Sequence, residues 1–219
     1  MKKIFLIIAP LILLNQLTAQ EITVSSTFSH SSYNKYQNNI GYEIGYNQTI
    51  NSKNRLGFSY SQSFNNTDYN YLFSSDADGK DYYREVDPAN QRLTFSVDYT
   101  FDILNSKKSN FFIGPKIGLN YFKINESVVE SPINVNESYE YNSNYWENNK
   151  VGIGLLLKFQ RKIFSGMISI CLSTVPEIIF FSKPGLMGSS DPVMIGVINF
   201  NLGLTYNMKN NNKEIEKSE

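Results

Sequence analysis

Eight segments of the chain alternate large apolar residues with small or polar ones, which is the period of strands with two unlike faces. The plainest sets Leu93, Phe95, Val97, Tyr99, Phe101 and Ile103 against Thr94, Ser96, Asp98, Thr100 and Asp102. A helix would scatter both sets around its circumference, whereas a strand separates them. The same alternation runs through Ile22–Ser29, Ile40–Asn47, Leu56–Phe64, Phe111–Phe122, Val151–Gln160, Met167–Ser173 and Ile198–Met208. Two positions break the pattern. Gln62 falls on the apolar side of its segment, and Pro115, lacking a ladder donor, predicts a bulge or local break in the fifth.

The two faces differ in a way that bears on solvent. One is bulky and apolar; the other carries Gly, Ser, Thr and Asn together with Glu43, Asp98, Asp102, Lys116 and Lys158. A soluble barrel buries the bulky face, as a lipocalin-like barrel does around an apolar ligand. A small membrane barrel turns that face to lipid and packs small and polar groups in its lumen. The glycines on the polar side (Gly41, Gly45, Gly57, Gly114, Gly118, Gly152, Gly154, Gly203) favour the membrane version. Solvent-facing strands gain little from so much glycine, but side chains converging in a narrow tube need the space. Aromatic residues such as Phe28, Tyr46, Phe64, Phe101, Phe159 and Tyr206 close the apolar rows, as interfacial belts would.

The connections alternate in length. Short ones surround Asn51–Asn54, Leu104–Lys108 and Lys162–Ser165; longer ones span Ser31–Asn39, Asn65–Asn90, Asn125–Asn149 and Thr174–Pro192. That is the arrangement of short periplasmic turns and long extracellular loops. The pattern predicts an all-β, eight-stranded antiparallel up-and-down transmembrane β-barrel. A tenth strand would arise if Asn134–Tyr145 formed an added hairpin, although loop extensions above the membrane are the expectation. The long connections are acidic (Asp68, Asp81, Glu85, Asp87, Glu126, Glu130, Glu140), while Lys53, Arg55, Lys107, Lys108, Arg161 and Lys162 flank the short ones. An acidic outer rim suits contact with anionic surface glycolipids through divalent cations.

The N-terminus adds an address. Lys2 and Lys3 precede the apolar run Ile4–Leu14, which ends in Thr18-Ala19-Gln20. The run is too short for a membrane-spanning helix and reads as a cleaved export signal over residues 1–20. The barrel domain then covers 21–208, and 209–219 form a polar periplasmic tail. Loss of the signal leaves 18 basic against 20 acidic residues, a charge balance that gives nucleic acid no attraction. Cys171 is the only cysteine, so no internal disulfide can form.

Candidate chemistry is sparse. Glu43, Asp98, Asp102, Lys116 and Lys158 share the lumen phase, where unpaired charges are costly, so they are expected to form a compensating charge network. Eight strands leave room only for side chains, which argues against an open pore, though a narrow ion channel remains the alternative use of those charges. His30 lies among Ser25, Ser26, Ser29, Ser31 and Ser32, but no nucleophile elbow accompanies it, so no catalytic residue is assigned and a lipid-modifying barrel enzyme is the secondary reading. Asp76-Ala77-Asp78-Gly79-Lys80-Asp81 lacks the full calcium-loop spacing, and neither a metal nor a cofactor is assigned. Tyr139, Tyr141, Tyr145 and Trp146 form a candidate contact patch in a surface loop.

The mature chain, Glu21–Met208, resembles the small outer membrane β-barrels common in Bacteroidetes, similar in outline to the membrane domain of outer membrane protein A. The resemblance rests on the signal, on Gln91–Tyr99, on Gly114–Tyr121 and on the closing Asn201-Leu202-Gly203-Leu204-Thr205-Tyr206. It implies a monomer inserted by the barrel assembly machinery, in contact with outer membrane lipids and surface glycolipids, with a structural, adhesion or ligand-contact role. An extracellular ligand or an envelope protein is the expected partner of the loops. Members commonly end on an aromatic strand residue, whereas here Asn207, Met208 and the tail follow Tyr206.

Overall fold

The computed structural model describes residues 20–32, 38–51, 53–65, 68–75, 79–104, 106–133, 138–163, 167–180 and 194–208. The expected signal, apart from Gln20 at the start of β1, and the expected tail lie outside the described residues. Among those described, every regular element is a strand: β1 (Gln20–Ser31), β2 (Asn38–Thr49), β3 (Asn54–Asn65), β4 (Tyr69–Ser74), β5 (Asp81–Pro88), β6 (Asn90–Asp102), β7 (Ser109–Pro132), β8 (Tyr139–Ile163), β9 (Ile168–Phe180) and β10 (Met194–Asn207). Each segment with two-residue alternation falls on one of them, with only the end residues Ile103, Met167 and Met208 outside the strands.

Eight of these strands pair antiparallel with a neighbour on both sides, in the order β1, β2, β3, β6, β7, β8, β9, β10 and back to β1. The result is a ring. The pairing of β1 with β10 runs from Glu21↔Asn207 to Ser31↔Val197, so the first and last strands satisfy each other's backbone groups.

β4 and β5 are additional, and they correct the sequence reading of Asn65–Asn90 as a loop. Ser75 N donates to Lys80 O at 2.8 Å in their hairpin, and Gly79 there has φ 67°, a left-handed conformation that costs glycine little. β5 continues the line of β6 and pairs with the far part of β7, from Tyr82↔Pro132 to Pro88↔Glu126. An added hairpin, weighed at Asn134–Tyr145 only as the alternative to loop extensions, is found instead at 69–88, and Tyr139–Tyr145 belongs to β8, which follows β7 as far as Glu130↔Tyr139. β7 has 24 residues and β8 has 25, against roughly 9–11 for a tilted membrane crossing. A four-stranded sheet of β4, β5 and the far parts of β7 and β8 therefore projects beyond the ring, by roughly 30 Å at the usual rise per residue.

Two prolines explain further differences. At Pro115 the β6 ladder omits Tyr99 and Thr100 without changing register, so the expected disturbance is a break; the bulge lies further along, between Asn120 and Phe122 opposite β8. β9 does not stop at Ser173 but continues through Pro176 to Phe180. Both prolines are exposed on the outer face. Pro176 interrupts pairing with β8 yet keeps its place opposite Ile198 of β10.

Sidedness is decided by exposure. Phe95 is 52% exposed, Leu155 42% and Leu202 58%, whereas Asp98 is 5% exposed. The apolar face points outward around the ring, and the polar face is enclosed. A soluble barrel with its Ile, Leu and Phe residues inside is therefore excluded.

Candidate functional site

The enclosed space is filled in layers, which follow from the residue order along β6. Near the short connections, Asp102 accepts from Asn110 Nδ2, from Leu104 N at 3.2 Å and from Phe111 N at 3.3 Å. In the same region Arg55 pairs with Glu21 at 2.7 Å, donates to Gln160 at 3.2 Å, and lies 4.0 Å over the Phe112 ring. Asp102 thus braces a turn and does not join the other four predicted charges.

Those four share the middle. Lys116 on β7 meets Glu43 on β2 at 2.8 Å across the ring, and Ser59 donates to the same carboxylate at 3.4 Å. Lys158 on β8 donates to Thr23 Oγ1 at 3.3 Å, and Thr23 and Thr205 share a hydrogen bond of 2.9 Å. Asp98 is the Cα partner of Lys116 across the β6–β7 ladder, and its Oδ1 has no hydrogen-bond partner. Its carboxylate occupies the space over Gly57, where a Cβ would approach within 2.3 Å.

Above them lies a cluster that sequence reasoning missed. Arg92 on β6 pairs with Glu177 on β9 at 2.6 Å, both side chains being nearly inaccessible. Asn120 accepts from Arg92 Nε and from Thr94 at 2.8 Å each, and Asn120 and Asn199 each donate to Glu177 at 3.3 Å. Arg92 shares the phase of Thr94 and Asp98, so extending the fourth segment by one step reaches it. Glu177 shares the phase of Cys171 and Ser173, but the seventh segment, ending at Ser173, stops short of it. Cys171 is buried on the inward face, as its phase requires.

Two internal cavities of about 20 Å³ each flank the Glu43–Lys116 pair, which lines both. Each has room for a single water. The unpartnered Ser25 Oγ and Asp98 Oδ1 belong to residues lining one, and Thr27 Oγ1 and Asn201 Oδ1 to residues lining the other. Beyond the Arg92 layer Phe122, Ile124, Ile179, Ile195 and Val197 form one buried apolar cluster, and Asn90 donates to the buried Glu126 at 2.8 Å further along the same strands. This arrangement ties strands together and leaves no wide aqueous path through the described residues.

The projecting sheet carries two unlike faces. One continues the lumen phase and is aromatic: Phe73 stacks on Tyr82 with centroids 5.4 Å apart, Arg84 lies 4.4 Å over Phe73 and pairs with Glu130, and Tyr141 donates to Glu130 at 2.8 Å. Tyr139 and Tyr141 of the predicted patch are exposed here, in a strand rather than a loop; the side chains of Tyr145 and Trp146 lie outside those described. The opposite face is acidic, with a cleft of about 370 Å³ lined by Asp68, Asn70, Glu85, Asp87 and Ser127. Among the described residues no three His, Cys, Asp or Glu side chains converge as metal ligands. The calcium-like run falls partly outside them. His30 bonds through Nδ1 to Asn38 Oδ1 at 2.9 Å, at the rim between β1 and β2.

These features define a class by fold. Neisserial surface protein A aligns with a TM-score of 0.56 at 10% identity, covering 87% of this chain and 96% of that protein. Ail, the attachment invasion locus protein of Yersinia pestis, aligns at 0.47 with 15% identity, covering 88% of this chain and 99% of Ail. A major outer membrane protein from Thermus thermophilus aligns at 0.49 with 13% identity, covering 87% and 100%. The neisserial match gives this chain the fold of the small outer membrane β-barrel proteins. No protein-family model and no curated protein matches the sequence.

Proposed function

We propose that the chain is an exported outer membrane β-barrel whose membrane ring holds the projecting β4–β5–β7–β8 sheet at the cell surface as a structural, adhesive or ligand-contact platform. One observation carries the reading: the ring turns its apolar side chains outward and encloses Glu43, Asp98, Lys116 and Arg92. In water that arrangement forfeits the hydrophobic driving force; in a bilayer it satisfies both solvents and every paired backbone group. In this proposal the acidic cleft lies among the headgroups, where divalent cations would bridge it to anionic glycolipids, and the aromatic face of Tyr139 and Tyr141 overhangs the mouth; the cleft's carboxylates and the lumen phase of that face support it. The water-sized cavities and the apolar cluster above them favour a plugged, non-conducting ring. The reading includes export by the 1–20 signal, insertion as a monomer by the assembly machinery and kinship with the Bacteroidetes barrels that resemble outer membrane protein A.

Fractionation with unboiled gel electrophoresis tests it. The expected result is recovery with outer membranes, a shift in migration on boiling, and trypsin cleavage in the projecting sheet of intact cells. Release as a detergent-free soluble protein with a single unshifted band would overturn it.

A further inference from the structure

The outer wall carries a feature that generic lipid contact does not require. Across β1, β2, β3, β6 and β7 an apolar trough of about 830 Å³ opens on the outward face, within the roughly 300–1,000 Å³ of ordinary ligand clefts. Its floor includes backbone at Gly45, Ser59, Ser96 and Gly118, which are cross-strand partners in one continuous row. Ile44, Phe58, Tyr60 and Phe95 stand around it, with the Tyr60 and Phe95 rings 5.1 Å apart.

Gln62, the residue that breaks the apolar pattern of its strand, does not line the trough but lies next to it, two residues along β3 from Tyr60, which does. Its Oε1 accepts from Tyr42 at 2.8 Å and from Tyr60 at 3.3 Å. Among the described residues no protein group accepts from its amide nitrogen. Phe64 and Ile40, exposed one row further out, close the apolar band, so the amide sits one row inside that edge. An amide donor facing hydrocarbon is costly unless something accepts from it.

The geometry points to a lipid site: the trough holds an acyl chain of a membrane lipid, and Gln62 Nε2 donates to the carbonyl of that chain's ester or amide linkage. Tyr42 and Tyr60 are positioning residues that fix the amide by occupying its oxygen. This inference rests on the membrane reading above. A hydrocarbon partner alone would fill the trough but leave the donor unmet, and a second copy of the ring would meet it mainly with apolar side chains, its few acceptors in that band being Gln62 and the tyrosines already paired with it.

The test uses the full mature chain, purified in detergent and loaded with an equal mixture of dipalmitoyl phosphatidylethanolamine and its dihexadecyl ether analogue, which lacks both carbonyls. Native mass spectrometry reads which lipid stays bound. The expected result is retention of the ester lipid over the ether by about three- to tenfold, the worth of one net hydrogen bond. Gln62→Leu should bring the ratio to unity, and Ile44→Trp, whose indole intrudes on the trough, should lower retention of both. A ratio near unity in the unaltered chain, a preference that survives Gln62→Leu, or a lipid-excluding dimer would overturn the site. The first of these needs no variant to fold. A chain that still shifts on boiling but shows no ester preference removes the site alone; one soluble without detergent removes the membrane reading itself.

Discussion

Glu177→Gln removes one charge from the best-buried ion pair while keeping its shape. Arg92 and Glu177 are 2.6 Å apart with side-chain exposures of 5% and 8%, so solvent screens the pair little. Glu177 also accepts from Asn120 and Asn199, and Arg92 donates to Asn120, so the loss leaves a guanidinium buried among neutral amides. Breaking a buried pair by removing one partner costs about 3–5 kcal/mol. The glutamine oxygen still accepts from Arg92, which favours the lower end of that range. Arg92→Gln should cost a similar amount, and the double variant should cost about as much as either single, because the second change removes the orphaned charge. The assay is urea unfolding of the chain in phospholipid vesicles, followed by circular dichroism and by the unboiled gel band, with each single variant lowering the midpoint by more than about 1 M. Single costs that add to within about 0.5 kcal/mol in the double would refute the coupling.

Gly152→Ala should destabilise the ring by about 1–3 kcal/mol, because its Cβ would stand 1.8 Å from Glu177 Oε1, while Gly45→Ala, whose nearest neighbour is at 3.7 Å, should stay within about 0.5 kcal/mol in the same titration. Leu202→Arg, on the outward face, should cost about 2–4 kcal/mol in vesicles, whereas Tyr139→Arg on the projecting sheet should leave the midpoint unchanged; equal effects would argue against a hydrocarbon surround. Asn65 and Asn90 are direct cross-strand partners, so replacing 66–89 by Asn-Gly should remove β4 and β5 yet preserve the boiling-dependent band shift, and loss of the shift would show that the ring needs the hairpin.

Much was legible because a strand places side chains on alternate sides without reference to any other strand. The phases of Phe95 and Asp98, of Leu155 and Lys158, and of Leu202 and Asn201 follow from the local chain alone, and glycine on the polar side indicates which side is crowded. The paired partners cannot be read this way. Lys116 meets Glu43, and Arg92 meets Glu177, across a ring whose stagger is set by the registers of all eight strands together. Proline conceals the rest: Pro176 reads locally as a strand end, and only an outward position beside a ladder that can skip it lets β9 carry Glu177 inside. The projecting sheet is hidden for a related reason. Its strands bear charges on both faces, so the short alternation in Tyr69–Ser74 acquires meaning only when β7 extends far enough to pair with β5. The direction in which each side chain points relative to its neighbours is settled within one strand and can be read from the order of residues. Which side chains meet is settled only by pairing in three dimensions, because registry belongs to the closed ring and not to any one strand.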